Sequence, residues 1–398
     1  MKLAARVGRI APSPTLAMTA TAKAMAAQGL DVIDFSSGEP DFDTPEPVKA
    51  AAEAAIRAGF TKYTPSSGID ELRQAVIDKL RVEQGLRYEK SQILISCGAK
   101  HSLYNLAEAL LEAGDELIIP TPYWVSYADQ ALLNDATPVL LPTHEAQGYA
   151  IDPEELQRRI TPRTKAIIVN SPCNPTGAMY DRPTLEAIAT LALRHRLLLI
   201  SDEIYEKVVY GGATHVGIAT LGPDVAAQTV IINGVSKAYA MTGWRIGYAA
   251  GPKELLTAMA NIQSQSTSNP CSISQKAAVA ALRLGALFTD AMVREFDRRR
   301  TAMVDRLNRI PGVTCRMPDG AFYAFPNIRG VLGRRGPDGP IETPHQLAQY
   351  LLQHAHVAVV PGEPFGSRDH VRLSYATGME TIQRGLDRIA AAFEKLTI

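Results

Sequence analysis

Between residues 91 and 250, short apolar runs alternate with helical stretches, and this alternation constrains the fold more than any other feature. The apolar runs are Ile93–Ser96, Glu116–Ile119, Val139–Leu141, Ala166–Asn170, Leu197–Ser201, Thr229–Asn233 and Ile246–Ala250. The helical stretches between them include Ala99–Leu111, Pro183–Arg194 and Lys253–Gln263. Strands that are apolar on both faces need helices on both sides of their sheet. The pattern therefore predicts an α/β fold with a large, mostly parallel seven-stranded sheet.

The remainder of the chain predicts a second, smaller α+β domain. Its expected elements are a charged helix at Phe288–Arg309, strands at Ala321–Phe325, Val357–Val360 and Val371–Tyr375, and two further helices. The segment Arg329–Pro340 is rich in Gly, Arg and Pro and is expected to be a surface loop. We expect the large domain to span residues 45–280, and residues 1–44 and 281–398 to form the small domain.

The segment before the first strand of the sheet is expected to be mainly helical. Its predicted helices are residues 15–28, Pro47–Ala58 and Ile69–Glu83, with a short strand at Val32–Phe35. Glycines at the helix ends are typical C-caps.

Charge and cysteine usage exclude several classes of function. Lys+Arg and Asp+Glu both number 41, so a nucleic-acid or membrane-surface partner is not indicated. The four cysteines are far apart and lack the spacing of a zinc site or a disulfide scaffold. No apolar run approaches the ~20 residues of a transmembrane helix. We expect a soluble, cytoplasmic protein that acts on small molecules and holds no metal.

The segment Asn233–Gly247 places one lysine, Lys237, between two apolar strands. Desolvation disfavours an ammonium ion, so such a lysine can act as an amine nucleophile, although most lysines are surface charges. Arg245 offers a planar fork suited to phosphate. An amine beside a phosphate clamp suggests pyridoxal phosphate (PLP), whose aldehyde forms a Schiff base with lysine.

Several other strands are followed by residues that suit a ligand, which in such sheets binds at the carboxyl ends of the strands. Gly98 precedes a predicted helix whose free N–H groups suit phosphate, or it belongs to an ordinary turn. Trp124 could stack on a flat ring or be part of the core. The turn around Asn174 could fix its amide, and Asp202 could pair with a protonated pyridine nitrogen or cap a helix.

The order and spacing of these segments resemble the fold-type I PLP-dependent aminotransferases of class I/II, particularly the bacterial aspartate aminotransferases of the I-gamma kind. The segments that carry the resemblance are Gly38–Pro45, Tyr63–Pro65, Pro122–Tyr127, Asn170–Gly177, Ser201–Tyr205, Val235–Gly247 and Val371–Thr377. The resemblance covers nearly the whole chain.

The resemblance implies a role for each strand-end residue. Lys237 would form the Schiff base and then move a proton as general base and acid. Asp202 would pair with the pyridine nitrogen, Asn174 and Tyr205 would bond the phenolic oxygen of the ring, and Trp124 would stack on it.

The resemblance also implies a phosphate site, a shared dimer and a substrate clamp. The phosphate group would be held by Gly98, Ala99, Lys100, Ser236 and Arg245. Tyr63 would reach the phosphate of a neighbouring subunit, which implies a homodimer with shared active sites. Substrate would be bound by Arg372, as a clamp on the α-carboxylate, together with Gly38, Trp124, Asn174, Lys100 and Thr15.

The expected reaction moves an amino group between L-aspartate, or a similar acidic amino acid, and 2-oxoglutarate. Lys100, assisted by Thr15, would read the distal carboxylate. Prephenate or aromatic amino acids are the nearest alternative substrates, although relatives that accept prephenate carry a lysine where this chain has Ala11. A PLP-dependent carbon–sulfur β-lyase is a more distant alternative. A catalytically silent regulator is disfavoured by the intact set of Lys237, Asp202 and Arg372, and a nicotinamide dehydrogenase by the lack of a G-x-G-x-x-G turn.

Overall fold

A computed structural model describes residues 1–10, 12 and 14–397, with side chains for all of these except residues 14–16. Within these residues the helices are α1 Pro14–Ala27, α2 Glu46–Arg57, α3 Asp70–Gln84, α4 Ala99–Leu110, α5 Ser126–Leu133, α6 Pro153–Arg159, α7 Arg182–His195, α8 Pro223–Ala227, α9 Lys253–Ser266, α10 Ser272–Leu282, α11 Leu287–Leu307, α12 Pro344–Tyr350 and α13 Met379–Glu394. The strands are β1 Ile33–Asp34, β2 Ile93–Ser96, β3 Glu116–Thr121, β4 Thr137–Pro142, β5 Thr164–Asn170, β6 Leu198–Asp202, β7 Thr229–Gly234, β8 Gly247–Ala250, β9 Tyr323–Ala324, β10 Arg335–Gly336, β11 Gly339–Pro340, β12 Val357–Ala358, β13 Val360–Pro361 and β14 Val371–Ser374.

The central sheet has seven strands in the order β2-β8-β7-β6-β5-β3-β4. All neighbouring pairs are parallel except those of β8, which runs antiparallel to both β2 and β7. The prediction of an α/β fold with a mostly parallel seven-stranded sheet is confirmed. Because β5, β6 and β7 run in the same direction, the residues that follow them meet at one edge of the sheet.

Helices cover both faces of this sheet, as the apolar strands require. Along β3, Ile118 packs into a core cluster with α7, whereas Leu117 and Ile119 pack into another with α4 and α9. Side chains of consecutive strand residues point to opposite faces, so a strand with two apolar faces joins two cores. This alternation explains why the predicted runs are continuous rather than half polar.

A second body packs around α11 and α13, and it includes the N-terminal strand. The antiparallel sheet β13-β14-β9 lies here, and β1 pairs in parallel with β12. Ile33 and Phe35 belong to the same buried cluster as side chains between Met292 and Leu396. The N-terminal segment therefore lies close to the C-terminal strands.

Two sequence expectations for this body need correction. The segment Arg329–Pro340 is not a plain surface loop, because β10 and β11 form a short hairpin within it and Val331 is fully buried. The single strand expected at Val357–Val360 is two short strands, β12 and β13, which belong to different sheets. Val331 is an apolar residue that fills the C-terminal core, and composition alone does not reveal that contact.

None of the helices in the described part of the chain is long and apolar enough to span a bilayer.

Candidate active site

A cavity of about 420 Å³ opens at the edge of the sheet where the parallel strands end. Its walls also include residues from α1, from the loop after β1 and from β14. Eleven of the residues singled out from the sequence line it, namely Gly38, Ala99, Lys100, Trp124, Asn174, Asp202, Tyr205, Ser236, Lys237, Arg245 and Arg372. Side chains that are up to 334 positions apart in the sequence are thus brought into one site.

Lys237 lies in the loop between β7 and β8, and its side chain points into the cavity. The Nζ group donates to the Gly38 carbonyl oxygen at 2.6 Å. Burial lowers the pKa of the Lys237 amine to about 8; Glu39 opposes this shift and the nearby Arg245 adds to it. A lysine with this environment gives up its proton more easily than a surface lysine does.

Asp202 is the last residue of β6 and is 3% exposed. Its Oδ2 accepts a hydrogen bond from the Tyr127 hydroxyl at 2.6 Å, and its Oδ1 accepts one from the Ile204 backbone N–H at 3.2 Å. Burial raises the pKa of Asp202 to about 6, and these two donors limit the rise. A carboxylate that is buried to this extent is stabilised when a cation lies against it.

Arg372, on β14, is 2% exposed and is already oriented by the protein. Its Nη1 donates to Asn174 Oδ1 at 3.0 Å and its Nη2 to the Ser36 carbonyl at 2.9 Å, while the ring of Tyr323 lies 4.4 Å from the guanidinium carbon. The Arg372 Nε is buried and has no hydrogen-bond partner among the described residues. Burial also lowers the pKa of this guanidinium, so an anion at this place would satisfy both an unused donor and a desolvated charge.

Two hydroxyl groups meet beside the Asn174 amide. The Tyr205 and Tyr323 hydroxyls are 2.9 Å apart and both residues line the cavity. Burial raises the pKa of Tyr205 well above its usual range, so this group remains a hydrogen-bond donor at neutral pH. Because Arg372 occupies Asn174 Oδ1, the Asn174 amino group remains free to donate elsewhere.

The start of α4 packs closely against Arg245 and β8. Ala99 and Lys100 are its first two residues, where backbone N–H groups have no carbonyl one turn earlier to bond. A Cβ atom added to Gly98 would lie 2.4 Å from Arg245 Nη2, and one added to Gly247 would lie 2.2 Å from the Ala99 nitrogen. Glycine is therefore required at both positions if the arginine and the helix start are to meet, and the result is a concentration of positive charge suited to an anion.

Trp124 and Lys100 form one wall of the cavity. The Lys100 Nζ lies 4.8 Å from the centroid of the Trp124 ring, and Tyr127 contacts that ring edge-on. Burial, together with Arg245, lowers the pKa of Lys100. The lysine thus lines the cavity wall, although part of the residue remains exposed to solvent.

Three of the expected residues are not part of this cavity as described. Gly98 does not line it, and its N–H donates to the Ser96 carbonyl at 2.7 Å. Tyr63 is 92% exposed on the surface of the chain. Thr15 lies in α1, but its side chain is outside what the structure describes, and Ala11 is outside the described residues altogether.

The cavity also contains residues to which sequence reasoning gave no role. Tyr127 and Tyr323 hydrogen-bond to Asp202 and Tyr205, and Thr19, Lys23 and Glu39 also line the wall. Thr19 and Lys23 are four residues apart on α1, so both can point to the same side of that helix. This spacing is visible in the sequence, but nothing in the sequence shows that the helix faces the cavity.

The set of donors fits pyridoxal phosphate. A phosphorylated pyridine aldehyde needs an anion site, a buried carboxylate for its ring nitrogen, an amine and an aromatic wall. The start of α4 with Arg245, then Asp202, Lys237 and Trp124 provide these groups around one cavity. The unpaired Arg372 Nε indicates a further anion beside them.

Comparison with known proteins agrees with this arrangement. The family model for class I and II aminotransferases matches residues 30–389. The chain is 50% identical to the aspartate aminotransferase of Geobacillus stearothermophilus, and the match covers 98% of each chain. It is 45% identical to the aspartate/prephenate aminotransferase of Nitrosomonas europaea, over 98% of this chain and 99% of that one. The crystal structure of the aspartate aminotransferase from Rhizobium meliloti superposes with a TM-score of 0.96 at 47% identity, covering 100% of both chains.

Proposed function

This chain belongs to the class I and II aminotransferases, and we propose that it transfers the amino group between L-aspartate, or a similar acidic amino acid, and 2-oxoglutarate. The observation that carries the proposal is the presence of Lys237, Asp202 and Arg372 on the wall of one cavity. The amine, the buried carboxylate and the half-satisfied guanidinium are the three groups that this reaction requires.

We assign the cofactor site to the residues at the strand ends. When bound, pyridoxal phosphate supplies an aldehyde that captures amines and a protonated pyridine ring that withdraws electrons from the substrate Cα. Its contacts would come from Lys237, Asp202, Tyr205, Asn174, Trp124, Ala99, Lys100, Ser236 and Arg245. Gly98 would contribute space for Arg245 and not an N–H group, since its own is already bonded.

Lys237 would act as the general base and acid. Its amine has a pKa of about 8, close to neutral pH, so it can both remove a proton from the substrate Cα and return one. The Gly38 carbonyl, 2.6 Å from Nζ, would hold the amine between these transfers. Tyr205 and the Asn174 amino group would donate hydrogen bonds to the phenolic oxygen of the ring.

Arg372 would bind the substrate α-carboxylate. Asn174 and Ser36 fix the guanidinium plane before substrate arrives, so little side-chain entropy is lost on binding. The fork then places the Cα of any amino acid at one position in the cavity. Every substrate is expected to depend on this contact.

The distal carboxylate of an acidic substrate would be read by cations on the other wall. Lys100 is the main candidate, and Lys23 from α1 is a second. Thr15 is proposed to assist Lys100 in binding this carboxylate. An ammonium on a flexible stem can move aside, which leaves room for a neutral ring.

Prephenate or an aromatic amino acid is the second candidate substrate. The similarity to the aspartate/prephenate aminotransferase of Nitrosomonas europaea favours it. Ala11, where relatives with this activity carry a lysine, argues for aspartate as the better substrate.

We further propose that two copies of the chain form a homodimer, in which the exposed Tyr63 of each copy reaches the cofactor phosphate of the other. The division into a large domain of residues 45–280 and a small domain of residues 1–44 and 281–398 remains a proposal, as does a cytoplasmic location.

A kcat/KM panel tests the reaction and ranks its substrates. Aspartate, phenylalanine and tyrosine are offered as donors to 2-oxoglutarate, glutamate is offered as donor to oxaloacetate, and arogenate formation from prephenate is measured with aspartate as donor. L-Cystathionine, which carries a sulfur leaving group on Cβ, is offered without an oxo-acid acceptor, and release of pyruvate from it is monitored in parallel. We expect aspartate to give the highest kcat/KM and no pyruvate to appear; pyruvate release without acceptor would instead identify a lyase.

A further inference from the structure

A network of buried charges lies directly behind Asp202. Asp202 lines the cavity, whereas its neighbour Glu203 does not. Glu203 is 1% exposed, and its carboxylate accepts hydrogen bonds from Ser201 Oγ at 2.8 Å and from Gln84 Nε2 at 2.7 Å. The His215 Nε2 lies 3.5 Å from the same carboxylate. Glu203, the residue next to Asp202, is thus held by side chains that do not line the cavity.

The network continues to a lysine on α3. The Lys79 Nζ is 2.5 Å from Glu206 and 3.0 Å from Glu83, and its side chain is 4% exposed. Gln84 Nε2 also approaches Glu206 at 3.2 Å, which links the Glu206 part of the network to Glu203. The helix α3 is therefore tied through charged groups to the segment that follows β6.

A metal ion is not needed to balance this network. The ligand atoms of Glu203, Glu206 and His215 lie within 4.8 Å of one another, a grouping that a divalent cation could use. However, the Lys79 ammonium already contacts Glu206, and a protonated His215 would balance Glu203. With these two cations in place, a divalent ion would meet repulsion instead of an uncompensated negative site.

The backbone around Asp202 is also fixed from several sides. Its carbonyl accepts hydrogen bonds from Asn170 Nδ2 at 3.1 Å and from the Ser171 N–H at 3.3 Å. The Glu203 N–H donates to the Ile232 carbonyl at 2.9 Å. With Glu203 held by its side chain as well, the strand end that carries Asp202 is fixed both by groups of the cavity wall, such as Asn170, and by groups behind it.

The negative charge of Glu203 favours the protonated form of Asp202, and His215 acts on Glu203 in turn. Burial raises the pKa of Asp202, and the negative charge of Glu203 adds to this rise. Burial would also raise the pKa of Glu203, but His215, Gln84 and Ser201 outweigh it and the net shift is downward. Burial would lower the pKa of His215, but Glu203 outweighs it and the net shift is upward. Glu203 and His215 therefore favour each other's charged forms.

The titratable groups that face this pair belong to several elements. They are Lys79 on α3, Tyr88 after α3, Glu206 in the same segment as Glu203, and, around Asp202 itself, Tyr127, Cys173, Tyr205 and Lys237. Of the groups that contact Glu203, His215 is the one whose ordinary pKa lies near neutral pH, and Glu203 raises that pKa.

We propose that Glu203 and His215 are a positioning pair for Asp202: Glu203 fixes the strand end, and the His215 charge offsets that of Glu203 so that Asp202 stays ionised opposite the cofactor nitrogen. The inference rests on the proposed function, because Asp202 has this task only if pyridoxal phosphate binds. It assigns a role to two residues that do not touch the cavity.

Cofactor affinity as a function of pH tests the proposal. The apoprotein is titrated with pyridoxal phosphate between about pH 5 and 8, and Kd is obtained from quenching of tryptophan fluorescence. Affinity should fall as the pH drops through the pKa of Asp202, because the protonated carboxyl no longer pairs with a protonated ring. In His215→Asn the Glu203 carboxylate keeps its hydrogen bonds from Gln84 and Ser201 but loses the compensating charge. The fall should therefore begin at higher pH, with about threefold weaker binding near pH 6.5.

Glu203→Gln should have the opposite effect. The charge that raises the Asp202 pKa is lost, and the buried His215 becomes neutral without its partner. The fall should then begin at lower pH, with about threefold tighter binding near pH 5.5 relative to the unmodified chain. The double variant also carries no charge at either position, so its profile should coincide with that of Glu203→Gln, and it decides the sign if Glu203→Gln does not fold. His345→Asn, at an exposed histidine in the small body, is the matched control.

Opposite displacements of the two pH profiles support the pair, because a purely structural role would weaken binding in both variants without displacing them in opposite directions. Profiles that coincide with that of the unmodified chain, or move in the same direction, overturn the proposal. If the unmodified apoprotein does not bind pyridoxal phosphate at all, the proposed function itself is wrong, and not only the positioning role of Glu203 and His215.

Discussion

Replacement of Arg372 by methionine tests the assignment of the carboxylate clamp most directly. Methionine keeps an unbranched side chain but removes the whole guanidinium group. We expect kcat/KM to fall for every amino donor by a similar factor, because every amino acid carries the α-carboxylate that Arg372 would bind.

The magnitude follows from counting hydrogen-bond donors. A guanidinium has five N–H donors. Asn174 and Ser36 take one each, which leaves three, and one of these is the buried Nε without a partner. Two of these three donors, Nε among them, can bind a carboxylate as a fork. Hydrogen bonds to charged groups contribute about 1.5–3 kcal/mol each. This range already allows for the hydrogen bonds to water that are replaced, so two such bonds give a loss of at least about 3 kcal/mol, or roughly a hundredfold in kcat/KM.

The assay separates this loss from damage to the fold. Steady-state kcat/KM is measured for aspartate and phenylalanine with 2-oxoglutarate as acceptor and for glutamate with oxaloacetate as acceptor, alongside cofactor content and thermal midpoint. Arg372→Lys keeps a charge without the fork and should recover only about tenfold of the loss. Arg368→Met, at an exposed arginine four positions earlier, is the matched control and should leave all three values unchanged.

Arg372 is not the carboxylate clamp if Arg372→Met retains its cofactor and yet one donor keeps kcat/KM within about threefold of the unmodified chain. Such a donor would bind its α-carboxylate elsewhere, and the unpaired Nε would then need another explanation.

The other substitutions concern the amine and the distal carboxylate. Lys237→Ala should abolish transamination, and borohydride reduction should no longer attach the cofactor covalently to the protein; a variant that still became labelled would show that another lysine is the nucleophile. Lys100→Met should lower kcat/KM for aspartate by about 10- to 100-fold and that for phenylalanine by less than about threefold. The same comparison for Lys23→Met should give a smaller selective loss, and equal losses for both donors would make either lysine a structural residue.

The central sheet could be predicted well from the sequence because each strand has two buried faces. The predicted Ile93–Ser96 coincides with β2, and the other six strands are found within a few residues of the predicted bounds. The small body was harder to predict. Its strands are only a few residues long, and a hairpin such as β10–β11 depends on the burial of Val331, which local composition does not reveal.

The hydrogen-bond partners of the site residues could not be predicted from the sequence. Tyr127 and Asp202 are 75 positions apart, and Tyr205 and Tyr323 are 118 apart. No periodicity connects such positions, because a hydrogen bond between them exists only once the strands and helices have packed. For the same reason no role for Lys23 or for the pair of Glu203 and His215 could be predicted from the sequence.

The types of side chain at the strand ends were determined by the sequence alone: an amine, a carboxylate, an arginine fork and a glycine turn, in an order that permits PLP chemistry. The state of each group was decided only by the tertiary structure. Burial lowers the pKa of Lys237 and raises that of Asp202, and two hydrogen bonds aim Arg372 while leaving its Nε free. Desolvation and long-range contacts are properties of the packed molecule, and they give these side chains the reactivity that their chemical type only allows.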